Sequence, residues 1–288
     1  MPVLAQESLA LPDGRRLSWR EFGDPSGNPV INNHGGLLCG LDISPAHFAA
    51  RRLGIRLISP DRPGVGDSTI VMERRTLDWT GDVAVLMNSL GIPRFGAFGW
   101  SLGGQYALAL GAGLPERVSA VVVVAGCPPM SPDRVAEVNR TDRTILRLCR
   151  DHPTVARTMF RVMGAAAVGF PSLVERATSR ELSPADRRTF SELPDGDFAQ
   201  WMAHAMTQPE GMREEYLAWA RPWGFGARDV VAPTSLWHGV DDDLVPATWS
   251  RQMADEVAHV ALNVVPGQGH FVAYSRWDEV LAPFASIA

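Results

Sequence analysis

Val118-Ser119-Ala120-Val121-Val122-Val123-Val124-Ala125 is an almost unbroken β-branched run with no polar alternation. A strand of that pattern must be covered on both faces, as in the middle of a parallel sheet flanked by helices. The chain before it supports this placement. Leu17 to Phe22, Val30 to Asn33, Arg56 to Ser59 and Phe95 to Phe98 are short, β-rich and set off by glycine and proline, and they read as strands. Between them, Leu77, Val83, Leu86 and Leu90 share one face of a helix over 77–90, with Asp78 and Asp82 on the other side. Strand-like runs resume at Thr234 to His238 and Ala261 to Val265, separated by a helix from about Ala247 to Val257. A last helix is expected from about Trp277 to Ser286. The fold class is therefore α/β, a mainly parallel sheet with helices on both faces.

From Cys127 the texture changes. Up to about Val230 the chain is rich in Arg, Met, Ala and Trp, is broken by prolines at 132, 153, 171, 184 and 194, and has helical spacing but no convincing strand. Ser131-Pro132 and Ser183-Pro184 each read as an N-cap serine followed by proline at the first helical position. The expected organisation is a first part of the core over 1–126, a helical cap inserted over 127–230, and a second part of the core over 231–288. In such sheets ligands bind beyond the carboxyl ends of the strands.

Composition excludes several function classes. Apolar residues make up 45% of the 288 and charged residues 20%, enough for a sizeable core. A net charge of −5 without basic clusters argues against nucleic acid or an anionic membrane surface as the main partner, so a small molecule is expected. All 27 basic residues are arginine, which rules out Schiff-base chemistry, a Walker-type lysine and a Ser-Lys dyad. Cys39, Cys127 and Cys149 show no paired spacing and read as free thiols in a reducing compartment. Residues 1–11 lack a basic start followed by an apolar stretch, and no run reaches the roughly 18 apolar residues of a membrane span. A cytoplasmic monomer or homodimer is the expectation.

Gly99-Trp100-Ser101-Leu102-Gly103 lies between the strand at Phe95 to Phe98 and an apolar helical run, Leu102 to Leu114. The pentapeptide is a weak signal by itself, but a sharp strand-to-helix turn lifts the Ser101 hydroxyl clear of the sheet edge and marks it as a nucleophile. A serine needs a base with a pKa near 7 and a group that orients the base. Of seven histidines, His270 in Gly267-Gln268-Gly269-His270-Phe271 sits in a loop directly after the last strand. His47, His152, His204 and His259 lie on expected helices or their edges and read as surface or packing residues. The acid is expected among Asp241, Asp242 and Asp243, after the penultimate strand, where only one side chain can point at His270. Asp133 is the weaker alternative. Three adjacent carboxylates without alternating oxygen ligands do not make a hard-cation site. The amides of Leu102 and of Gly36, in His34-Gly35-Gly36, are candidate oxyanion donors, and His34 reads as a structural brace of that loop. Asp61 to Ser68 contains a Gly-x-Gly but lacks the third glycine of a dinucleotide fingerprint, and reads as a stiff turn supporting the oxyanion loop.

With these motifs in place the chain resembles the α/β-hydrolase superfamily. The order Ser101, Asp242, His270 matches that superfamily's nucleophile, acid and histidine. His34-Gly35-Gly36 resembles its His-Gly-x loop, and Asp61 to Ser68 its Asp-Arg-x-Gly-x-Gly-x-Ser turn. Asp242, four residues before Pro246, resembles its acid position. Leu37 departs from the proline found there in many relatives. A serine nucleophile disfavours the haloalkane dehalogenases and epoxide hydrolases of this fold, which use aspartate. The His-Gly-Gly-Pro-Gly and Gly-Gly-Ser-Trp-Gly patterns of proline iminopeptidases are missing.

The resemblance implies a serine hydrolase of esterase type acting on a small, hydrophobic acyl compound, with no cofactor and no metal. Carbon–carbon bond hydrolases and perhydrolases are variants of the same reading, and a non-catalytic binding protein is the rival. Among the apolar groups, Trp100, Trp201, Met206 and Trp223 are candidate substrate contacts, with Met202, Trp219 and Phe225 nearby in sequence. The other reading of the helical insertion's rings is that they pack it onto the core.

Overall fold

The computed structural model describes residues 5–285, so the first four residues of the N-terminal segment and Ser286 of the expected last helix lie outside it. Eight strands form one sheet: β1 Ala5–Ala10, β2 Arg16–Gly23, β3 Asn28–Asn33, β4 Ile55–Pro60, β5 Phe95–Trp100, β6 Val118–Val124, β7 Thr234–Gly239 and β8 Val260–Val265. Their order is β1-β2-β4-β3-β5-β6-β7-β8, with β2 antiparallel to both neighbours and all other pairs parallel. The β-branched run is strand β6, paired with β5 through Ala97↔Val121 and with β7 through Val123↔Leu236. Val121 to Val124 are buried, as an interior strand requires.

The helices before β7 that pack on the sheet are α1 His47–Arg52, α2 Trp79–Ser89 and α3 Gly103–Gly113. Between β6 and β7 come seven more and no strand: α4 Pro132–Glu137, α5 Arg140–Asp151, α6 Pro153–Gly169, α7 Pro171–Glu181, α8 Pro184–Phe190, α9 Asp197–Ala205 and α10 Pro209–Ala220. Helices α11 Ala247–Glu256 and α12 Trp277–Ala285 complete the chain. Both serines read as N-caps act as such: Ser131 Oγ accepts the Arg134 amide and Ser183 Oγ the Asp186 amide. Neighbouring β5 residues show the helices on opposite faces. Phe98 meets Trp277 of α12, while a side chain at Gly99 would run into Ala107 of α3.

Two expectations need correction. Asp82 is buried, because Arg15 from the turn before β2 reaches across and binds both its oxygens, at 2.6 and 2.8 Å. Leu77 belongs to a short 3₁₀ turn, Thr76–Asp78, that precedes α2. Strand β1 has no counterpart in the sequence reading. It is an edge strand whose Gln6, Glu7 and Ser8 face solvent, so no apolar alternation betrays it.

Buried charge ties the helical stretch to the sheet. Glu215 of α10 is flanked by Arg62 and Arg74, and all three side chains are almost inaccessible. Arg62 Nε lies 2.6 Å from Glu215 Oε1, Arg74 bonds the other oxygen, and Arg74 Nη1 also reaches the Tyr106 hydroxyl at 2.6 Å. Burial alone would raise the Glu215 pKa; the two guanidiniums reverse this and bring it down to about 2. Glu215→Ala leaves two buried cations without their anion, and denaturant unfolding should show a loss of about 3–5 kcal/mol. A loss below about 1 kcal/mol would mean that water relieves the arginines.

Candidate active site

Ser101 sits on the turn from β5 to α3 with φ 55°, a left-handed conformation that L-residues rarely adopt. Hydrogen bonds on both sides hold it: its amide donates to Val124 O at 2.8 Å and its carbonyl accepts the Gly104 amide at 2.9 Å. The glycines serve close approach. A Cβ on Gly103 would lie 1.9 Å from Asn33 O, and one on Gly99 would lie 2.4 Å from Gly103 O. The turn is thus pressed against the end of β3, and the hydroxyl stands at the carboxyl edge of the sheet.

His270 and Asp242 come together from the loops after β8 and β7. His270 Nδ1 lies 2.9 Å from Asp242 Oδ2, and the other oxygen, Oδ1, accepts the Leu244 and Val245 amides at 2.9 Å each. The two loops interlock: the Asp241 amide donates to Gln268 O, and a Cβ on Gly239 would strike the Gln268 and Gly269 carbonyls. Among the described residues no hydrogen bond or ion pair joins Asp241 or Asp243 to the imidazole. Burial would raise the Asp242 pKa, but the charge on His270 and hydrogen bonds from His238 and His270 hold its carboxyl below the usual range. For His270 burial acts downward, and Asp242 overrides it and moves the imidazole upward. With Nδ1 taken, Nε2 is the nitrogen free to face Ser101. No hydrogen bond joins Ser101 to His270 among the described residues, but both border one cavity.

His238 was not singled out by the sequence reading. It is fully buried, with Nε2 3.1 Å from Asp242 Oδ2 and Nδ1 2.6 Å from Ser250 Oγ, and so braces the Asp242 carboxylate. Trp100 likewise does more than line the cavity, since its indole N–H donates to His270 O at 2.9 Å.

The loop after β3 runs beside the elbow. A Cβ on Gly36 would lie 3.4 Å from Leu102 Cδ1, and among the described residues neither amide donates to a protein acceptor. His34 braces this loop as expected: Nε2 accepts the Arg62 amide at 3.2 Å, and Arg62 Nη1 bonds His34 O at 2.7 Å. Burial, reinforced by Arg62, lowers the His34 pKa to about 3 and keeps it neutral. The Asp61 to Ser68 turn supports the same loop, with Asp61 Oδ1 accepting the Gly40 amide at 2.8 Å. His204 does not stand alone on its helix; its Nε2 reaches Asp61 Oδ2 at 3.1 Å. Leu37 occupies φ 61°, which the ring of proline cannot adopt, so its departure from the usual proline reflects a different backbone path.

The cavity is about 490 Å³, within the range of small-molecule sites. Leu38, Trp100, Phe198, Met202, Trp219 and Trp249 contribute apolar walls, and Asn139, Asp142 and Glu181 add polar groups. Trp201, Met206 and Trp223 do not border it. Trp201 is packed with Phe198 and Tyr274, Met206 lies against Gly164, and the Trp223 indole donates to Gln105 at 3.1 Å. Those three bind helix to helix or to the core, because their inward faces meet packed side chains. All three cysteines are buried and free, and burial pushes their thiols upward, that of Cys149 to about 12. Among the described residues no group of three His, Cys, Asp or Glu side chains is arranged to hold a metal ion, and no helix is long and apolar enough to cross a membrane.

The family model of the alpha/beta hydrolase fold matches residues 28–276, and the chain belongs to that family. It is 25% identical over 284 residues to a non-heme haloperoxidase of Rhodococcus erythropolis, covering 95% of this chain and 96% of that one. A proline iminopeptidase of Arabidopsis thaliana is 33% identical, but over 119 residues, 40% of this chain and 31% of the other. A bromoperoxidase structure from Bacillus anthracis superposes with a TM-score of 0.74 at 19% identity, covering 98% of this chain and 100% of that one.

Asp42, buried behind the loop after β3, accepts the Gly35 amide at 2.7 Å and Asn32 Nδ2 at 2.9 Å. Burial dominates these bonds and pushes its pKa up from 3.8 to about 7. A carboxyl that ionises later in the folded state loses stability as pH rises between those two values and stays at the lower level above them. Asp42→Asn keeps an acceptor for Gly35 without the charge. Its unfolding free energy relative to wild type should therefore climb from pH 5 to 7 by a few kcal/mol, on the order of 1.4 per pH unit, and level off above. A difference independent of pH would show that Asp42 ionises normally.

Proposed function

We propose that the chain is a serine hydrolase that cleaves a carboxylic ester, or a related acyl compound, of a small hydrophobic substrate. Ser101 attacks the carbonyl while His270 Nε2 takes its proton, and Asp242 holds the ring through Nδ1. The Gly36 and Leu102 amides receive the oxyanion. The leaving group is protonated by His270, and water then cleaves the acyl-enzyme with His270 again as base. The observation that carries this reading is the 2.9 Å contact between His270 Nδ1 and Asp242 at the wall of the cavity that holds Ser101. Residues 127–230 act as the cap over that cavity, and their Phe198, Met202 and Trp219 support an apolar acyl or alcohol group.

A second reading, perhydrolysis, is favoured by the end-to-end similarity to the Rhodococcus haloperoxidase. In this reading hydrogen peroxide replaces water on the same acyl-enzyme and yields a peroxy acid. Both readings need the acyl-enzyme. A fluorophosphonate probe should label wild type and leave Ser101→Ala unlabelled, and short p-nitrophenyl esters should turn over. Asp242→Asn should lower kcat by about 10⁴-fold. Equal labelling of Ser101→Ala, or an inert wild type, removes the hydrolase reading and leaves a binding protein. Competition between water and peroxide for an acetyl ester separates the two enzymatic readings.

A further inference from the structure

Helix α8 touches the loop that carries His270 at three points. Asp186 Oδ1 accepts the Phe271 amide at 2.8 Å, Arg188 Nη2 donates to Gly267 O at 3.3 Å, and the Phe190 ring packs edge-on against Phe271 at 5.8 Å. The fit at Asp186 is tight. A Cβ on Gly269 would lie 2.2–2.5 Å from its carboxyl atoms, so any other residue before His270 would displace this carboxylate.

Asp186 is the third residue of its helix, where an acidic side chain ordinarily folds back to cap its own N-terminus. Here it does not. Its Oδ2 accepts the Ser183 hydroxyl at 3.0 Å while Oδ1 reaches a different segment of the chain, and the residue is 1% exposed. Among the described residues no arginine pairs with it. A buried carboxylate is costly to keep, and a neutral residue would suffice for packing alone.

We propose that Asp186 is a positioning residue for His270: it clamps the loop through the Phe271 amide and the bare Gly269, and it places a second negative charge near the imidazole. This rests on His270 being the general base of the proposed reaction. The groups that bear on the ring are Asp242 from the β7–α11 loop, Asp186 from α8 and Asp142 from α5, with Trp100 and Phe271 beside it. Burial pushes the imidazole toward its neutral form; Asp242 first, then Asp186 and Asp142, push it toward the charged form. The helical stretch would thus supply part of the field in which the base works, as well as walls for substrate.

Asp186→Asn retains an acceptor for Phe271 and removes the charge, whereas Asp186→Ala removes both. The test follows the His270 imidazole by NMR titration in the resting protein, alongside the pH profile of kcat/KM on a p-nitrophenyl ester. For Asp186→Asn the imidazole midpoint and the acid limb of the profile should both move down by about half a pH unit or more. For Asp186→Ala kcat should fall about tenfold or more with KM changed less than about twofold. An Asp186→Asn midpoint within about 0.2 pH unit of wild type overturns the proposal, and this holds even where the alanine variant fails to fold. A kcat of folded Asp186→Ala within about twofold of wild type also overturns it. If Ser101→Ala is labelled like wild type, the hydrolase reading falls, but the imidazole titration still decides whether Asp186 acts on His270.

Discussion

Everything at the carboxyl edge of the sheet is arranged around one steric contact, the seating of the α3 N-terminus on the end of β3. With Gly103 against Asn33 O there is no space for a side chain, and Ser101 is driven into its left-handed conformation. Such a conformation costs of order 1–3 kcal/mol and persists only where its surroundings over-determine it. Here the Val124 and Gly104 hydrogen bonds and the parallel pairing of β3, β5 and β6 do so. The contact also sets the His34-Gly35-Gly36 loop, which leaves β3 at Asn33, directly beside the turn.

Around that turn, buried carboxylates hold loops by accepting backbone amides. Asp42 holds Gly35, Asp61 holds Gly40, Asp242 holds Leu244 and Val245, and Asp186 holds Phe271. Each fixes a glycine-bearing or irregular segment that cannot secure itself through a regular ladder. In a low-dielectric setting such bonds are strong when satisfied and costly when broken, which suits loops that must present polar atoms accurately.

The helical stretch between β6 and β7 takes part in this scaffolding. Glu215 neutralises Arg62, which grips His34, and His204 reaches Asp61. Excising these helices would strand two guanidiniums and leave the Phe271 amide without its acceptor. The segment is therefore tied to the machinery of the site as well as enclosing the cavity.

Much of this was legible before any coordinates. β-rich runs identified seven of the eight strands: interior strands need apolar residues, and the edge strand β8 carries them in Val260, Ala261, Leu262, Val264 and Val265, whereas the opposite edge strand β1 does not. The elbow, the loop after β3 and the two late loops could be placed because each motif follows a strand directly. The roles of Trp201, Met206 and Trp223 could not, since an apolar ring packs equally well against a ligand or a helix. Asp82, Glu215 and Asp186 were also opaque, because their partners lie 67, 153 and 85 positions away. Local sequence determined which segments extend, which coil and where a hydroxyl, an imidazole and a carboxylate leave the sheet. The resemblance had already singled out Asp242 among the three adjacent aspartates; the contact it makes with His270, and which other carboxylates brace the loops, were decided only by tertiary packing. Hydrogen bonds between distant segments depend on directions and distances that backbone propensity does not encode.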